Sequence, residues 1–181
     1  MSRTHAPLAL LVALTLALTG CGGVDKRGHK SDAAHSPTAA FASEEEALAA
    51  AVDVYDRLTV LGDEIARAGG EGAERLEEVA TGEFLAGSVE GFNEYPDRGV
   101  HQIGYTTYRD PVLQQYGPGP ESAVIIYICE DVSNLMIVDE SGTSVVAADR
   151  PDSFYLQVTF DLGQDQRLRV ASRARWDERA C

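Results

Sequence analysis

The sequence predicts an α+β fold in which N-terminal helices pack on an antiparallel sheet. Between residues 43 and 99 the apolar side chains recur at helical spacing, and after residue 100 they alternate at the spacing of strands. Short segments rich in Gly and Pro separate the strand candidates. Helices first and strands afterwards favour a layer of helices on one face of a single sheet.

The first predicted helix has a defined start, face and end. Ser43 and Glu46 form the pattern of a capping box, and the acidic first turn suits the positive end of the helix dipole. Gly69-Gly70 ends the helix. The predicted core-facing arc comprises Leu48, Ala51, Val52, Val54, Tyr55, Leu58, Leu61 and Ile65.

Two shorter helices are expected next. One lies around residues 72–80, and Thr81 caps the other, which Pro96 and Gly99 close. The apolar stripe of this second helix comprises Phe84, Leu85, Ser88, Val89 and Phe92.

The rest of the chain predicts strands. Glu140-Ser141-Gly142 indicates a tight hairpin turn, and residues 116–120 indicate a loop. The strand candidates are residues 100–108, 121–131, 134–139, 143–148, 153–162 and 166–176.

The last two strands can be placed in register. A slip of one residue moves arginines from the outer face to the core face, so the register that keeps them outside is favoured. The predicted pairs are Phe160 with Val170 and Phe154 with Trp176 on the core face, and Asp161 with Arg169 and Tyr155 with Arg175 on the outer face. Ser172 and Ala174 then also face the core.

The same register gives the outer face a stripe of arginines, namely Arg167, Arg169, Arg173 and Arg175. Such a stripe is either a docking surface for an acidic polymer or a solvated face whose charges guard against edge pairing.

The N-terminus has the layout of a secretory signal peptide. Arg3 gives a cationic start, and residues 8–18 are almost wholly apolar but too few to span a bilayer. Leu18-Thr19-Gly20-Cys21 resembles the lipobox of bacterial lipoproteins. That resemblance implies cleavage before Cys21 and attachment of a diacylglycerol to its sulfur, and two acyl chains suffice for stable anchoring. The alternative is an ordinary secreted protein with a chance cysteine.

Three segments follow from this. We expect a lipoprotein signal peptide at residues 1–20, the lipidated Cys21 with a flexible tether at residues 21–42, and one α+β domain at residues 43–181. The predicted location is extracytoplasmic, on a membrane through the lipid. The sequence does not indicate an oligomeric state.

The chain is strongly acidic, with 15 basic and 29 acidic residues and a net charge of −14. This charge repels nucleic acid and anionic lipid, so nucleic acid is not an expected partner. The acidity suits solubility at a charged cell surface.

Two cysteines remain once Cys21 is assigned to lipid. Outside the cytoplasm, two cysteines in one small domain usually pair, which predicts a disulfide between Cys129 and Cys181. The bond closes a loop of about 52 residues and contributes roughly 4 kcal/mol in the chain-entropy description. The alternative is a free or intermolecular thiol.

The domain resembles a known family. The helical first half, the strand that carries Cys129-Glu130-Asp131-Val132-Ser133, the hairpin, and two long strands followed by Cys181 are similar to secreted actinobacterial lipoproteins of the nuclear-transport-factor-2-like superfamily. The resemblance implies a cone-like fold, in which a curved antiparallel sheet wraps a long helix, often with a pocket between them. It implies no single activity.

The residues indicate neither a cofactor nor a metal. His101 is the one histidine in the predicted domain, no Ser-His-Asp set is evident, and the glycines fit no nucleotide-binding pattern. No catalytic residue is therefore assigned from a motif.

Two features are candidates for function. Tyr95, Tyr105, Tyr108 and Tyr116 lie close together in sequence and form a candidate binding patch, although tyrosine is also an ordinary strand residue. In isomerases of the family that the domain resembles, a pocket carboxylate removes a proton beside a carbonyl. Asp131 with Tyr55 or Tyr127 is the corresponding candidate set, and the alternative for Asp131 is a strand-end carboxylate bound to backbone.

Three functions remain open. The first is a non-enzymatic, lipid-anchored domain that binds an envelope protein or a small ligand. The second is a pocket enzyme of the ketosteroid-isomerase or cyclase type that uses Asp131 with a tyrosine. The third is a structural accessory of an envelope complex.

Overall fold

The structure is a computed structural model that describes residues 40–120, 123–176 and 181. Helix α1 (Glu44–Arg67) is the longest element among these residues. The predicted signal peptide, Cys21 and most of the tether lie outside these residues. Phe41, in the last part of the predicted tether, is only 9 % exposed and packs in the core.

The N-terminus of α1 is capped nearly as the sequence predicts. The Ser43 hydroxyl accepts a hydrogen bond from the Glu46 backbone N–H at 3.2 Å. The Glu46 carboxylate accepts from the backbone N–H of Ala42 at 2.7 Å, one residue earlier than a capping box requires. The helix therefore starts where the sequence places it. Its buried residues are Ala47, Ala51, Val54, Tyr55, Leu58, Leu61, Asp63, Ile65 and Ala66.

Three short helical elements follow α1. A 3₁₀ segment (Ala73–Glu78) occupies the predicted short helix, and helix α2 (Gly82–Asn93) follows Thr81. Helix α3 (Tyr95–Arg98) ends at Gly99, which has a left-handed backbone conformation. Although α2 carries the predicted apolar stripe, none of its residues is fully buried.

The strands form two antiparallel sheets. The smaller sheet pairs β1 (Val100–Ile103) with β4 (Met136–Asp139). The larger has the order β2-β3-β5-β6, built from β2 (Thr107–Tyr116), β3 (Val124–Asp131), β5 (Ser153–Leu162) and β6 (Leu168–Arg175). Bulges in β2 and β6 curve the larger sheet, and its edge strands do not pair with each other. The predicted α+β class is thus confirmed, as helices followed by an open, curved antiparallel sheet.

The core lies between α1 and one face of the larger sheet, here called the inner face. Ile126, Ile128, Val158 and Phe160 point from this face toward Tyr55 and its neighbours on α1. The opposite, outer face carries Tyr127, which stacks on Tyr155 and contacts Trp176 edge-on.

The predicted strand at residues 100–108 is wrong as one element. Gly104 separates β1 from β2 at a φ of 79°, and a Cβ there would collide with the carbonyl oxygen of Asn134. β2 then continues to Tyr116, beyond the predicted end, because a bulge between Arg109 and Val112 accommodates Pro111.

The predicted strand at residues 143–148 is also wrong. Only one isolated bridge, between Val138 and Ser144, follows the hairpin turn. The turn itself is present, and the Gly142 N–H donates to the Asp139 carbonyl at 2.9 Å.

The register of β5 and β6 is confirmed near the turn and wrong beyond it. Phe160 pairs with Val170 and Asp161 with Arg169, as predicted. Thr159, however, pairs with Ser172, so Ala171 is an extra residue in β6. The bulge shifts the remaining pairs by one residue and exchanges the two faces of β6. The expected pairs of Phe154 with Trp176 and of Tyr155 with Arg175 are therefore not formed.

The same bulge removes the predicted arginine stripe. Beyond it, Arg173 and Arg175 lie on the inner face, while Ser172, Ala174 and Trp176 lie on the outer face. Arg169 stays outside and binds Asp165 through two hydrogen bonds, of 2.7 and 3.0 Å. Arginines on the inner face were expected to be unfavourable, but Arg173 bonds to Glu130 there and Arg175 stacks over Phe154.

The expected pairing of Cys129 with Cys181 is present. Their Cα atoms lie 5.5 Å apart, and the disulfide joins the chain end to the outer face of β3. Because the bond links residues 52 apart in sequence, it removes substantial freedom from the unfolded chain, by roughly 4 kcal/mol.

Candidate functional site

A buried carboxylate on β3 is the centre of the candidate site. Alternation along the strand turns Ile126, Ile128 and Glu130 toward the inner face, and Glu130 is only 5 % exposed. Its Oε2 accepts a hydrogen bond from the Tyr55 hydroxyl and its Oε1 accepts from Arg173, both at 2.6 Å. Each carboxylate oxygen therefore has a charged or hydroxyl donor.

Three separate elements supply this network. Tyr55 lies in the middle of α1 and is fully buried, while Arg173 reaches the inner face through the bulge in β6. The Arg173 guanidinium also lies 5.8 Å from the centroid of the Tyr55 ring. The network thus connects the long helix to both a central and an edge strand.

The environment fixes the protonation of Tyr55. Burial raises the pKa of its hydroxyl well above the usual value, and the adjacent Glu130 carboxylate raises the pKa further, against the opposing effect of Arg173. Tyr55 therefore keeps its proton at neutral pH and donates a hydrogen bond to Glu130.

A second buried carboxylate, Asp63, lies on the same helix. It accepts hydrogen bonds from the Gln102 side chain at 2.8 Å and from the backbone N–H and hydroxyl of Thr106 at 3.0 and 3.1 Å. Arg67 lies 3.8 Å from one of its oxygens. Asp63 thereby ties α1 to the segment that joins β1 and β2.

A pocket opens beside these two carboxylates. It has a volume of about 350 Å³, within the range of small-molecule sites. Asp63, Glu130 and Arg173 form its polar wall. Its apolar wall comprises Phe84 and Phe92 from α2 with Leu135 and Ile137 from the β4 hairpin. The pocket explains why the apolar stripe of α2 is only partly buried.

Asp131 is not part of this site. It lies on the outer face and accepts a hydrogen bond from the backbone N–H of Ser133 at 2.9 Å, and the hydrogen bonds from Ser133 lower its pKa. Tyr55 binds Glu130 instead, and Tyr127 lies four residues along the strand, roughly 13 Å away. The structure therefore does not bring the candidate set of Asp131, Tyr55 and Tyr127 together.

The four tyrosines of the candidate patch occupy different places. Tyr95 packs edge-on against Phe92 at the pocket, and Tyr105 is 54 % exposed. Tyr108 donates a hydrogen bond to Asp56 at 2.5 Å, and its pKa is raised by burial and by that bond. Tyr116 packs against the core near the other end of β2. Only Tyr95 of the four lines the pocket.

The sequence reasoning missed the residues that build the polar wall. Glu130 falls in phase with Ile126 and Ile128, so the alternation of β3 already placed it on the inner face. Arg173 had no such signal, because its position depends on the bulge. Asp63 had no sequence signal either, because helical spacing places it outside the predicted apolar arc, and Gln102 and Thr106 bond it in the structure.

Within the described part of the chain, no three His, Cys, Asp or Glu side chains are arranged to hold a metal ion. No helix in the same residues is both long and apolar enough to cross a bilayer.

The fold defines the class of protein as an α+β domain with a helix–sheet pocket. No family model matches the chain, and no curated protein matches it. Among solved structures, the intermembrane space region of the chloroplast protein ARC6 is similar, with a TM-score of 0.52 and 12 % identity over 69 % of this chain and 92 % of that one. At this identity the likeness shows a related fold alone.

Two structures from Catenulispora acidiphila also align. One has a TM-score of 0.45 and 18 % identity over 71 % of this chain and 88 % of its own. The other, in complex with S-DNPA, has a TM-score of 0.44 and 17 % identity over 70 % of this chain and 90 % of its own.

Replacing Tyr55→Phe removes one of the two donors to Glu130, and we expect this to lower the free energy of unfolding by about 2 kcal/mol at neutral pH. In the wild type, stability should also fall as the pH rises above about 10, because the unfolded tyrosine then ionises while folded Tyr55 keeps its proton. Tyr55→Phe should flatten that decline. Urea denaturation at a series of pH values measures both effects.

Tyr127→Phe is the matched control, since the Tyr127 hydroxyl makes a weaker hydrogen bond of 3.3 Å to Gln157 on the outer face. Equal losses of stability in the two variants contradict the assigned network.

Proposed function

We propose that this protein is a lipid-anchored extracytoplasmic lipoprotein whose domain, of the nuclear-transport-factor-2-like type, binds a small ligand without converting it. The observation that carries the proposal is the pocket between α2 and the inner face, which is lined by charged and by apolar side chains. Pockets of this composition orient a ligand through a few polar groups and bind it through apolar contact.

The half-buried helix above the pocket supports ligand binding. Phe84 and Phe92 turn toward the domain yet keep part of their surface accessible, at the pocket that they line. A ligand in the pocket covers this surface and gains the free energy of apolar burial, about 25 cal/mol per Å².

The arrangement of Glu130 supports binding over catalysis. A general base needs a carboxylate oxygen within reach of the proton that it removes. Tyr55 and Arg173 each occupy one oxygen of Glu130, and Asp63 is likewise held by Gln102, Thr106 and Arg67. The enzyme alternative therefore assigns proton removal to carboxylates that already serve as acceptors within the fold.

The extracytoplasmic location draws support from two independent features. The leader and lipobox pattern ends at Cys21, outside the described residues. The Cys129–Cys181 disulfide is of a kind that forms and persists in oxidising compartments.

Filling the pocket tests ligand binding. Gly62 lines the pocket from α1, and a Cβ added there meets nothing within 4 Å, so the Gly62→Leu side chain should enter the cavity. We expect this variant to fold, since Leu is a better helix former than Gly, and to weaken binding of the uncharged dye N-phenylnaphthylamine by about tenfold or more. Fluorescence titration of the domain measures the affinity.

Gly87→Leu provides the control, because Gly87 is exposed on α2, has equally open surroundings and does not line the pocket. Unchanged affinity in Gly62→Leu, or equal weakening in both variants, contradicts the pocket as the binding site.

The lipid anchor has its own test. Cys21→Ala removes the sulfur that the lipobox pattern assigns to diacylglycerol, so the variant should lose incorporated radiolabelled palmitate and leave the membrane fraction. Cell fractionation and metabolic labelling in a bacterial host measure both. Palmitate that is still incorporated after the substitution contradicts acylation of Cys21.

A further inference from the structure

Arg173 has N–H groups in the pocket that donate no hydrogen bond to the described residues. A guanidinium carries five N–H donors, and Arg173 uses Nη2 for its 2.6 Å bond to Glu130. Within residues 40–120, 123–176 and 181 its other N–H groups have no hydrogen-bond acceptor, and no buried polar side-chain atom there lacks a partner. With 32 % of its side chain accessible, Arg173 therefore directs its remaining donors to the open space of the pocket.

The charges around Arg173 restrict what those donors can bind. Glu130 already balances the guanidinium, and Asp63 adds a second carboxylate to the same wall. The charged side chains that line the pocket are thus two acids and one base. An anionic ligand group meets repulsion from both carboxylates at a short distance and in a partly buried setting, where charge interactions are strong.

A cationic group is disfavoured for a different reason. Arg173 balances Glu130, and Arg67, 3.8 Å from Asp63, balances the second carboxylate, so neither carboxylate offers a cation an unbalanced charge. Arg173 also repels a second cation. The polar wall therefore suits an uncharged acceptor, which takes a charge-assisted hydrogen bond from Arg173 without adding a charge.

The opposite wall defines the rest of the ligand. Phe84, Phe92, Leu135 and Ile137 offer aromatic and aliphatic contacts. Two neighbouring lining residues carry hydroxyls: Ser88, which donates to the carbonyl of Phe84 at 2.7 Å, and Tyr95, which packs edge-on against Phe92. A hydrocarbon portion placed there is removed from water, which is the main source of its affinity.

We propose that the pocket binds an uncharged amphiphile, whose carbonyl oxygen accepts a hydrogen bond from Arg173 while its hydrocarbon chain packs between α2 and β4. This inference rests on the proposed ligand-binding function and names the chemical class of its ligand. In this proposal Arg173 is the residue that makes the pocket prefer an uncharged ligand.

Competition among ligands of one chain length tests the proposal. Methyl decanoate, decanoate and decylamine share a hydrocarbon chain and differ in charge, and each is titrated against bound N-phenylnaphthylamine at neutral pH. We expect methyl decanoate to displace the dye at a concentration about tenfold lower than either charged ligand. This comparison uses the wild-type domain and does not depend on a variant that folds.

Substitution then assigns the preference to Arg173. Arg173→Gln should weaken binding of methyl decanoate several-fold, whereas Arg173→Lys should retain part of the preference for the ester. Arg175→Gln is the matched control, since Arg175 lies on the same face of β6 but stacks over Phe154, 4.4 Å from the ring centroid, outside the pocket. It should bind the ester as the wild type does.

The outcomes separate this inference from the function on which it rests. If decanoate or decylamine displaces the dye as well as the ester does, the pocket binds ligands but the preference for an uncharged acceptor is refuted. If the dye binds and none of the three ligands displaces it, the pocket binds ligands but the uncharged amphiphile is refuted as their class. If the dye does not bind, the ligand-binding function itself fails, and the inference fails with it.

Discussion

The ion pair between Glu130 and Arg173 is the interaction on which the site depends. A carboxylate buried between a helix and a sheet without a partner costs several kcal/mol. Arg173 offsets that cost, and it reaches Glu130 only because one extra residue, Ala171, exchanges the two faces of β6. Tyr55 supplies the second donor from α1. A local irregularity at the sheet edge therefore permits a charged group in the interior.

This arrangement gives the domain a pocket that is lined by both charged and apolar side chains. The carboxylates hold α1 to the sheet and to the start of β2, while α2 stays half-exposed above the cavity. The helix that forms the apolar wall thus has surface left for a ligand, and the polar wall keeps one guanidinium with unused donors. The disulfide from Cys129 to Cys181 lies on the other face of the sheet, so it stabilises the scaffold without entering the pocket.

The parts of the fold that the sequence predicted are those controlled by local chemistry or by a repeated spacing. The Ser43 cap, the buried face of α1 and the Gly142 turn are of this kind, and so is the pairing of Phe160 with Val170. The bulges at Pro111 and Ala171 were not predicted, because tertiary contacts rather than the pattern of the strand itself determine where a bulge forms. The predicted carboxylate, Asp131, lies next to Glu130 in sequence but on the other face of β3, because adjacent side chains in a strand face opposite ways.

A double-mutant cycle on Glu130→Gln and Arg173→Gln measures the central interaction most directly. Each single substitution should lower the free energy of unfolding by about 2 kcal/mol, because it leaves the partner's charge in a largely buried place. The double variant should recover at least about 1 kcal/mol of the summed losses, since both charges are then gone. Losses that simply add would contradict the account, because they would show that Glu130 and Arg173 do not stabilise each other in the folded protein.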